Sequence, residues 1–242
     1  MNNAYPALGF LIDGRHIDAG TRETLAVVNP STEDEIARLP LATTADLDAA
    51  LDAAARGFQV WRRTAAIERA AVLHRAAALL RERIEQIAAV NTLEQGKLVS
   101  EARWETVATA DILDWAAEEG RREYGRLLPS RRDGVRRQVM LEPIGPAAGF
   151  SPWNGPALLF GRKIAEALAA GCSCVMKPAE ETPGTALVVA QALADAGLPP
   201  GVLQVITGSV GAIGDALVTH PKIRKVSFTG STEVGRRIME MA

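Results

Sequence analysis

Short apolar, β-rich runs alternate with helical stretches from residue 142 onward, and this alternation constrains the fold more than any other feature of the chain. In order, the runs are "GPAAGFSPW", "PALLFGRKIAEALAAG", "CSCVMKP", "GTALVVAQALADAG", "VLQVITG", "GAIGDALVTH", "KVSFTG" and "STEVGRRIMEMA". Two strands that run the same way need a crossover between them, and a helix packed on the sheet supplies it. The pattern is therefore the sequence form of repeated βαβ units and a doubly wound α/β fold with a parallel sheet. Such sheets bind ligands at the carboxyl ends of their strands. Three of those ends carry polar or conformationally special residues: "SPWNGP", "KPAEETP" and "FTGSTEVG".

Upstream, "FLIDGRHI" places apolar residues around Asp13-Gly14, a dipeptide that favours a two-residue hairpin turn, so a small antiparallel element opens the fold. Leu47, Leu51, Ala54, Phe58 and Trp61 recur at gaps of four and three and define one face of a helix. A second periodic stretch runs from Ile67 through Leu73, Leu80, Ile84 and Ile87, and a third carries Trp104, Ala108, Ile112 and Trp115. Residues 43–120 are thus expected to be mostly helical, with Phe58, Trp61, Trp104 and Trp115 in the core. Between 121 and 141, Arg131, Arg132, Arg136 and Arg137 flank a turn signal at Asp133-Gly134, which predicts a solvated, protruding hairpin. The chain divides on this reading into 1–120, an opening hairpin and helical layer, 121–141, the protruding hairpin, and 142–242, the βα units.

A chain of 242 residues can bury one substantial core or a large domain with a smaller companion. Its formal net charge of −2 gives a nucleic-acid backbone no broad attraction, so a nucleic-acid partner is not expected. No apolar run approaches the ~18 residues that span a bilayer, and "MNNAYPALGF" lacks the form of a signal segment, so the reading is cytoplasmic with no membrane partner. His16, His74 and His220 lie far apart without neighbouring ligands, and no metal site is expected. Cys172 and Cys174 are badly placed to bridge each other.

Each strand end admits a chemical and an ordinary reading. Lys177 and Glu180 offer an ammonium donor and a carboxylate acceptor suited to the vicinal hydroxyls of a ribose, or form a solvated ion pair. Gly230 and Ser231 stand at a strand-to-helix junction that suits a phosphate, or are a plain helix cap. Glycines at 208, 211 and 214 are spaced as GxxGxxG, not as the dinucleotide fingerprint GxGxxG. Pro152 and Pro156 stiffen the backbone around Trp153 and Asn154, whose amide could donate to a developing oxyanion or could simply belong to a turn.

Together with "LEQGK", "LAAGCSCVMKPAEETPGTA", "AGLPPGVLQVITG" and "HPKIRKVSFTGSTEVG", these motifs resemble the aldehyde dehydrogenase superfamily from about residue 10 to the end. The resemblance implies an oxidoreductase that uses NAD(P) to turn a small-molecule aldehyde into an acid. In that family a cysteine attacks the aldehyde, and a glutamate activates the water that hydrolyses the thioester. It casts Asn154 as the oxyanion donor and Lys163 as the lysine beneath the active site. The cofactor path is implied to include Pro152, Trp153, the Lys177, Pro178, Ala179 and Glu180 turn, Gly208, Gly211, and the Gly230, Ser231, Thr232 and Val234 junction. Glu180 would repel a 2′-phosphate and leans the choice to NAD, with NADP as the other option.

Neither Cys172 nor Cys174 matches the family nucleophile, since both fall in or before the strand that precedes Lys177. The family places that cysteine, and the "ELGG"-type segment holding the base, well after "FTGST". The expectation is therefore the amino-terminal portion of an aldehyde dehydrogenase, truncated before its catalytic domain and inactive alone. The look of "RLLPSRRDGVRRQVMLEPIGP" and "GCSCVMKPAEETPG" is closest to the succinate-semialdehyde branch, whose parents are homodimers or homotetramers with a hairpin arm. A non-catalytic dinucleotide-binding module and a degenerate interaction protein are the competing readings.

Overall fold

The computed structural model describes residues 5–208 and 210–242; Met1 to Ala4 at the start of "MNNAYPALGF" and Ser209 within "TGSVGAIG" lie outside the described residues. Strands β1 (Phe10–Ile12) and β2 (Arg15–Ile17) form the opening hairpin, with Asp13 at φ 53° and Gly14 at φ 73° supplying the left-handed turn that the dipeptide predicts. A separate two-stranded sheet follows, β3 (Thr24–Val28) with β4 (Glu35–Pro40). Four helices come next: α1 (Thr44–Trp61), α2 (Ala66–Glu82), α3 (Ile84–Gln95) and α4 (Val99–Gly120). Strands β5 (Arg126–Leu128) and β6 (Arg137–Val139) pair as the exposed hairpin expected between 121 and 141.

The remaining chain alternates as its sequence predicts: β7 (Ala147–Ser151), α5 (Pro156–Ala169), β8 (Cys174–Pro178), α6 (Pro183–Asp195), β9 (Leu203–Val205), a π-helical turn over Val210–Gly214, α7 (Asp215–Thr219), β10 (Lys225–Phe228) and α8 (Thr232–Met241). The main sheet has the order β10-β7-β8-β9-β1-β2. Its four βα strands are parallel, and the opening hairpin closes the far edge by pairing β1 antiparallel to β9. The chain runs outward from β7 through β8 to β9 and then returns to lay β10 on the other side of β7. That reversal creates a switch point between β7 and β10 at the strands' carboxyl ends.

Helices cover both faces. Alternation sends Cys174 and Met176 of β8 into one core with Trp61, Leu80, Leu113, Phe160 and Leu193, while Val175 enters the other with Phe10, Leu51, Ile206 and Leu217. The Trp61 indole N–H donates to the Leu168 carbonyl at 2.8 Å, which satisfies the one polar atom of a buried ring. On α1, Gly57 lets the helix lie against the backbone of Gly201, where a Cβ would come within 2.1 Å of a carbonyl.

Two expectations from the helical block need correction. The stretch from Ile67 to Ile87 is two helices that meet at Arg83, and Ile67 is 62 % exposed. Trp104 and Trp115 are 65 % and 70 % exposed and do not belong to the core. The buried face of α4 is built instead from Ala102, Thr106, Thr109, Ala110, Leu113, Ala116 and Ala117. Its neighbours come too close for indoles: a Cβ on Gly161 of α5 would lie 2.4 Å from the Thr109 methyl.

Candidate functional site

A cleft of about 310 Å³ opens at the switch point, over the carboxyl ends of β7, β8 and β10. Register explains why: Phe150 of β7 stands beside Phe228 of β10 and Lys177 of β8, so the three chains leave the sheet at the same level. Pro152 and Trp153 continue β7 along one wall, and Val234 and Ile238 of α8 form an apolar part of the opposite wall. Pro178, Ala179 and Glu180 follow β8 into the cleft, and Thr229, Gly230 and Ser231 follow β10. Gly214 and Asp215 border it as well, with Asp215 paired to Arg237 of α8.

Lys177 is buried to 7 % exposure, and its Nζ donates to Glu180 Oε1 at 3.1 Å. The ion pair is thus neither bulk-solvated nor sealed in the core. Ser231 caps α8, its Oγ accepting the Val234 N–H at 3.3 Å. Gly230 could carry no side chain in this conformation, because a Cβ would fall 2.5 Å from the Phe228 ring. Thr232 begins α8 without lining the cleft, and neither Gly208 nor Gly211 lines it; of the three spaced glycines, Gly214 does.

Lys163 lies behind this cleft. The residue is 8 % exposed, its ammonium donates to Thr229 Oγ1 at 2.7 Å just past the end of β10, and burial pulls its pKa below the usual lysine value. It faces a second cavity of about 430 Å³ shared with Cys174 and Ser227. Burial pushes the Cys174 thiol up to about 12, and both cysteines are buried and free, as inert thiols are.

Asn154 is exposed, at a turn whose backbone is held from below. The Lys97 ammonium donates to the Asn154 carbonyl at 3.1 Å and pairs with Glu105, a carboxylate only 3 % exposed. Glu105 Oε1 accepts the N–H groups of Ala157 and Leu158 at 2.8 and 3.0 Å, and its Oε2 accepts from Asn91 Nδ2 at 3.0 Å. It therefore caps α5, whose own cap residue, Gly155, has no side chain.

The β8–α6 turn is held the same way. Glu94 accepts the N–H groups of Gly184 and Thr185 at 2.9 and 2.7 Å and the hydroxyl of Tyr5, whereas Thr182 makes no capping bond with its own side chain. Burial pushes the Glu94 carboxyl up to about 7 against the pull of these donors, and the same burial, with Glu94 beside it, raises the Tyr5 phenol. Glu94, Lys97, Asn91 and Glu105 escaped the reading of the sequence. The one signal, for Glu94 and Lys97, is "LEQGK", where a glycine at the end of a helix separates an acid from a base; Asn91 and Glu105 carry none.

Residues 16–242 match the model of the aldehyde dehydrogenase family. The chain belongs to that family. It is 44% identical over 230 residues to succinate-semialdehyde dehydrogenase [NADP(+)] GabD of Escherichia coli (strain K12), a match that covers 95% of this chain and 48% of that protein. It is 45% identical over 228 residues to 3-sulfolactaldehyde dehydrogenase of Pseudomonas putida, covering 94% of this chain and 47% of that one. Among solved structures, an aldehyde dehydrogenase from Brucella melitensis biovar abortus 2308 superposes with a TM-score of 0.96 at 40% identity, over 100% of this chain and 50% of its own. The chain spans about half the length of the curated relatives it matches. Among the described residues no helix is long and apolar enough to cross a membrane, and no group of three or more His, Cys, Asp or Glu side chains could hold a metal ion.

Proposed function

We propose that this chain supplies the cofactor-binding half of an NAD(P)-dependent aldehyde dehydrogenase. The observation that carries the reading is the buried Lys177 ammonium, paired with Glu180 at 3.1 Å and set across one cleft from the amino terminus of α8. A ribose diol needs one donor and one acceptor side by side, and this pair offers both. Gly230 packs against the Phe228 ring where a Cβ would collide, and the start of α8 beside it offers backbone N–H groups to a pyrophosphate. Pro152, Pro178, Ala179 and Val234 add the apolar walls that a flat base requires. Gly208, Gly211 and Thr232, which the resemblance also puts on the cofactor path, do not line the cleft itself.

When bound, the cofactor supplies the hydride acceptor. The chain's own residues bind and orient: Lys177 and Glu180 hold the ribose, Gly230 and Ser231 meet the phosphates, and Asn154 presents its amide to the developing oxyanion. Lys163 holds the Thr229 side of the junction from beneath. Neither buried cysteine is given the nucleophile's part, and no thioester step is assigned to the residues of this cleft.

Similarity to the Escherichia coli protein, named for succinate semialdehyde, supports a small aldehyde of the semialdehyde class as the parent substrate. The same protein is named for NADP(+), so both NAD+ and NADP+ enter the test. The same reading makes 121–141 the oligomer arm of a cytoplasmic homodimer or homotetramer and 142–242 the core of the cofactor domain. Isothermal titration of NAD+ and NADP+ into this chain tests it. Lys177→Ala and Ser231→Ala should each weaken binding by roughly tenfold; unchanged affinities would remove the site assignment.

A further inference from the structure

The nucleotide reading gives no task to "LEQGK", residues Leu93–Lys97, yet this segment touches both turns that the reading depends on. Helix α3 ends at Gly96, whose φ of +81° reverses the chain and whose missing Cβ would otherwise stand 2.9 Å from Pro30. Glu94, in the last turn before the reversal, reaches the amino terminus of α6 through the Gly184 and Thr185 N–H groups. Lys97, just after it, reaches the other turn, at the Asn154 carbonyl and at Glu105, which in turn accepts from Ala157 and Leu158 of α5. The two arms diverge from one glycine.

We propose that residues 93–97 are a two-armed positioning element, with Glu94 setting the Lys177–Glu180 turn and Lys97, through Glu105, setting the Asn154 turn. This inference deepens the proposed function and rests on it. A helix start can be capped by its own residue, as Ser231 does for α8. That arrangement fixes the local backbone and nothing else. A cap delivered from the helical layer also fixes where the helix start stands relative to that layer. Since the Glu94 cap on one turn and the Lys97 contacts to the other, to the Asn154 carbonyl and to the capping Glu105, leave the same few residues, the distance between the ribose-holding turn and the oxyanion turn is set by one reversal of the chain. A nicotinamide dinucleotide must bridge those two turns, so their separation is a property the binding site needs.

Each arm has a separate readout. ADP, which carries the adenosine ribose and pyrophosphate without the nicotinamide, is titrated into the unaltered chain, Glu94→Gln and Lys97→Met, and 15N NMR follows the amides of Asn154 and Gly184 in all three. The expected result is a split. Glu94→Gln weakens ADP by roughly tenfold and moves Gly184 while Asn154 stays in place. Lys97→Met leaves ADP affinity within about twofold and moves Asn154, and Lys97→Arg, which keeps the pair with Glu105, restores it. If Glu94→Gln does not fold, Glu94→Asp, one methylene shorter, carries the same expectation at reduced size. The proposal is overturned if both arms shift both readouts together, as general loosening would, or if neither shifts any. An unaltered chain that does not bind ADP sinks the nucleotide reading instead, and the two amides still decide whether the arms act separately.

Discussion

The β7–α5 and β8–α6 turns are built alike and differ in one charge. Each starts a helix with a proline after a residue that gives no side-chain cap, and each receives its cap from a glutamate of the helical layer that is 3 % exposed. Glu105, at the first turn, has the Lys97 ammonium against it. Glu94, at the second, meets the Tyr5 phenol and the Gly184 and Thr185 backbone N–H groups, and among the described residues no ammonium pairs with it. A helix amino terminus offers roughly half a positive charge and two free donors, enough to hold a carboxylate but not to repay its full desolvation. The turn with the ammonium therefore keeps a buried ion pair, while the turn without one keeps a carboxyl that burial pushes up to about 7. One cap is sensitive to losing its partner, the other to pH.

Removing a partner should have the largest effect. Glu105→Ala leaves the Lys97 ammonium and two helix N–H groups without their acceptor, and urea denaturation should show a loss of about 3–5 kcal/mol. The second test addresses the proton at Glu94. Its folded pKa lies above its unfolded one, so the folded chain holds the proton more tightly and this group favours folding most below the usual carboxylate range. Stability should fall as pH rises from about 4.5 to about 7, by on the order of 3 kcal/mol from this group. Urea midpoints across that window should show the slope in the unaltered chain and a flatter line for Glu94→Gln; equal slopes would break the comparison.

Tyr5→Phe should act more mildly, costing about 1.5–3 kcal/mol above neutral pH through one lost hydrogen bond to a charged acceptor, and it should move the Glu94 midpoint further up. The smallest effect belongs to the junction that caps itself. Ser231→Ala removes an exposed local cap on α8 and should cost about 1 kcal/mol in the same urea experiment. A Ser231 effect as large as that of Glu105 would mean that caps from the helical layer hold nothing more than local ones.

What could be read from the sequence follows the same division between local and distant. The βα alternation, the Asp13-Gly14 turn, the hairpin between β5 and β6, and the Lys177–Glu180 pair are written within a few residues of one another, and period and turn chemistry suffice to find them. Family resemblance then gave these residues roles that pattern alone left open. Glu105 and Glu94 lie 52 and 90 residues before the helix starts that they cap, and no local rule pairs them. The face of α4 was misread for a different reason. Apolar size pointed to Trp104 and Trp115, whereas close packing against α2 and α5 selects alanine and threonine. Of the spaced glycines, Gly214 lines the cleft and Gly208 and Gly211 do not.

The central claim is that one cleft, at the carboxyl ends of β7, β8 and β10, takes the adenosine half of a nicotinamide dinucleotide. A crystal structure of this chain grown with ADP tests it most directly. The account predicts ribose hydroxyls between the Lys177 ammonium and the Glu180 carboxylate, and phosphate oxygens at the Gly230–Ser231 start of α8. ADP bound elsewhere on the chain, with Lys177 and Glu180 still facing only each other, would contradict it.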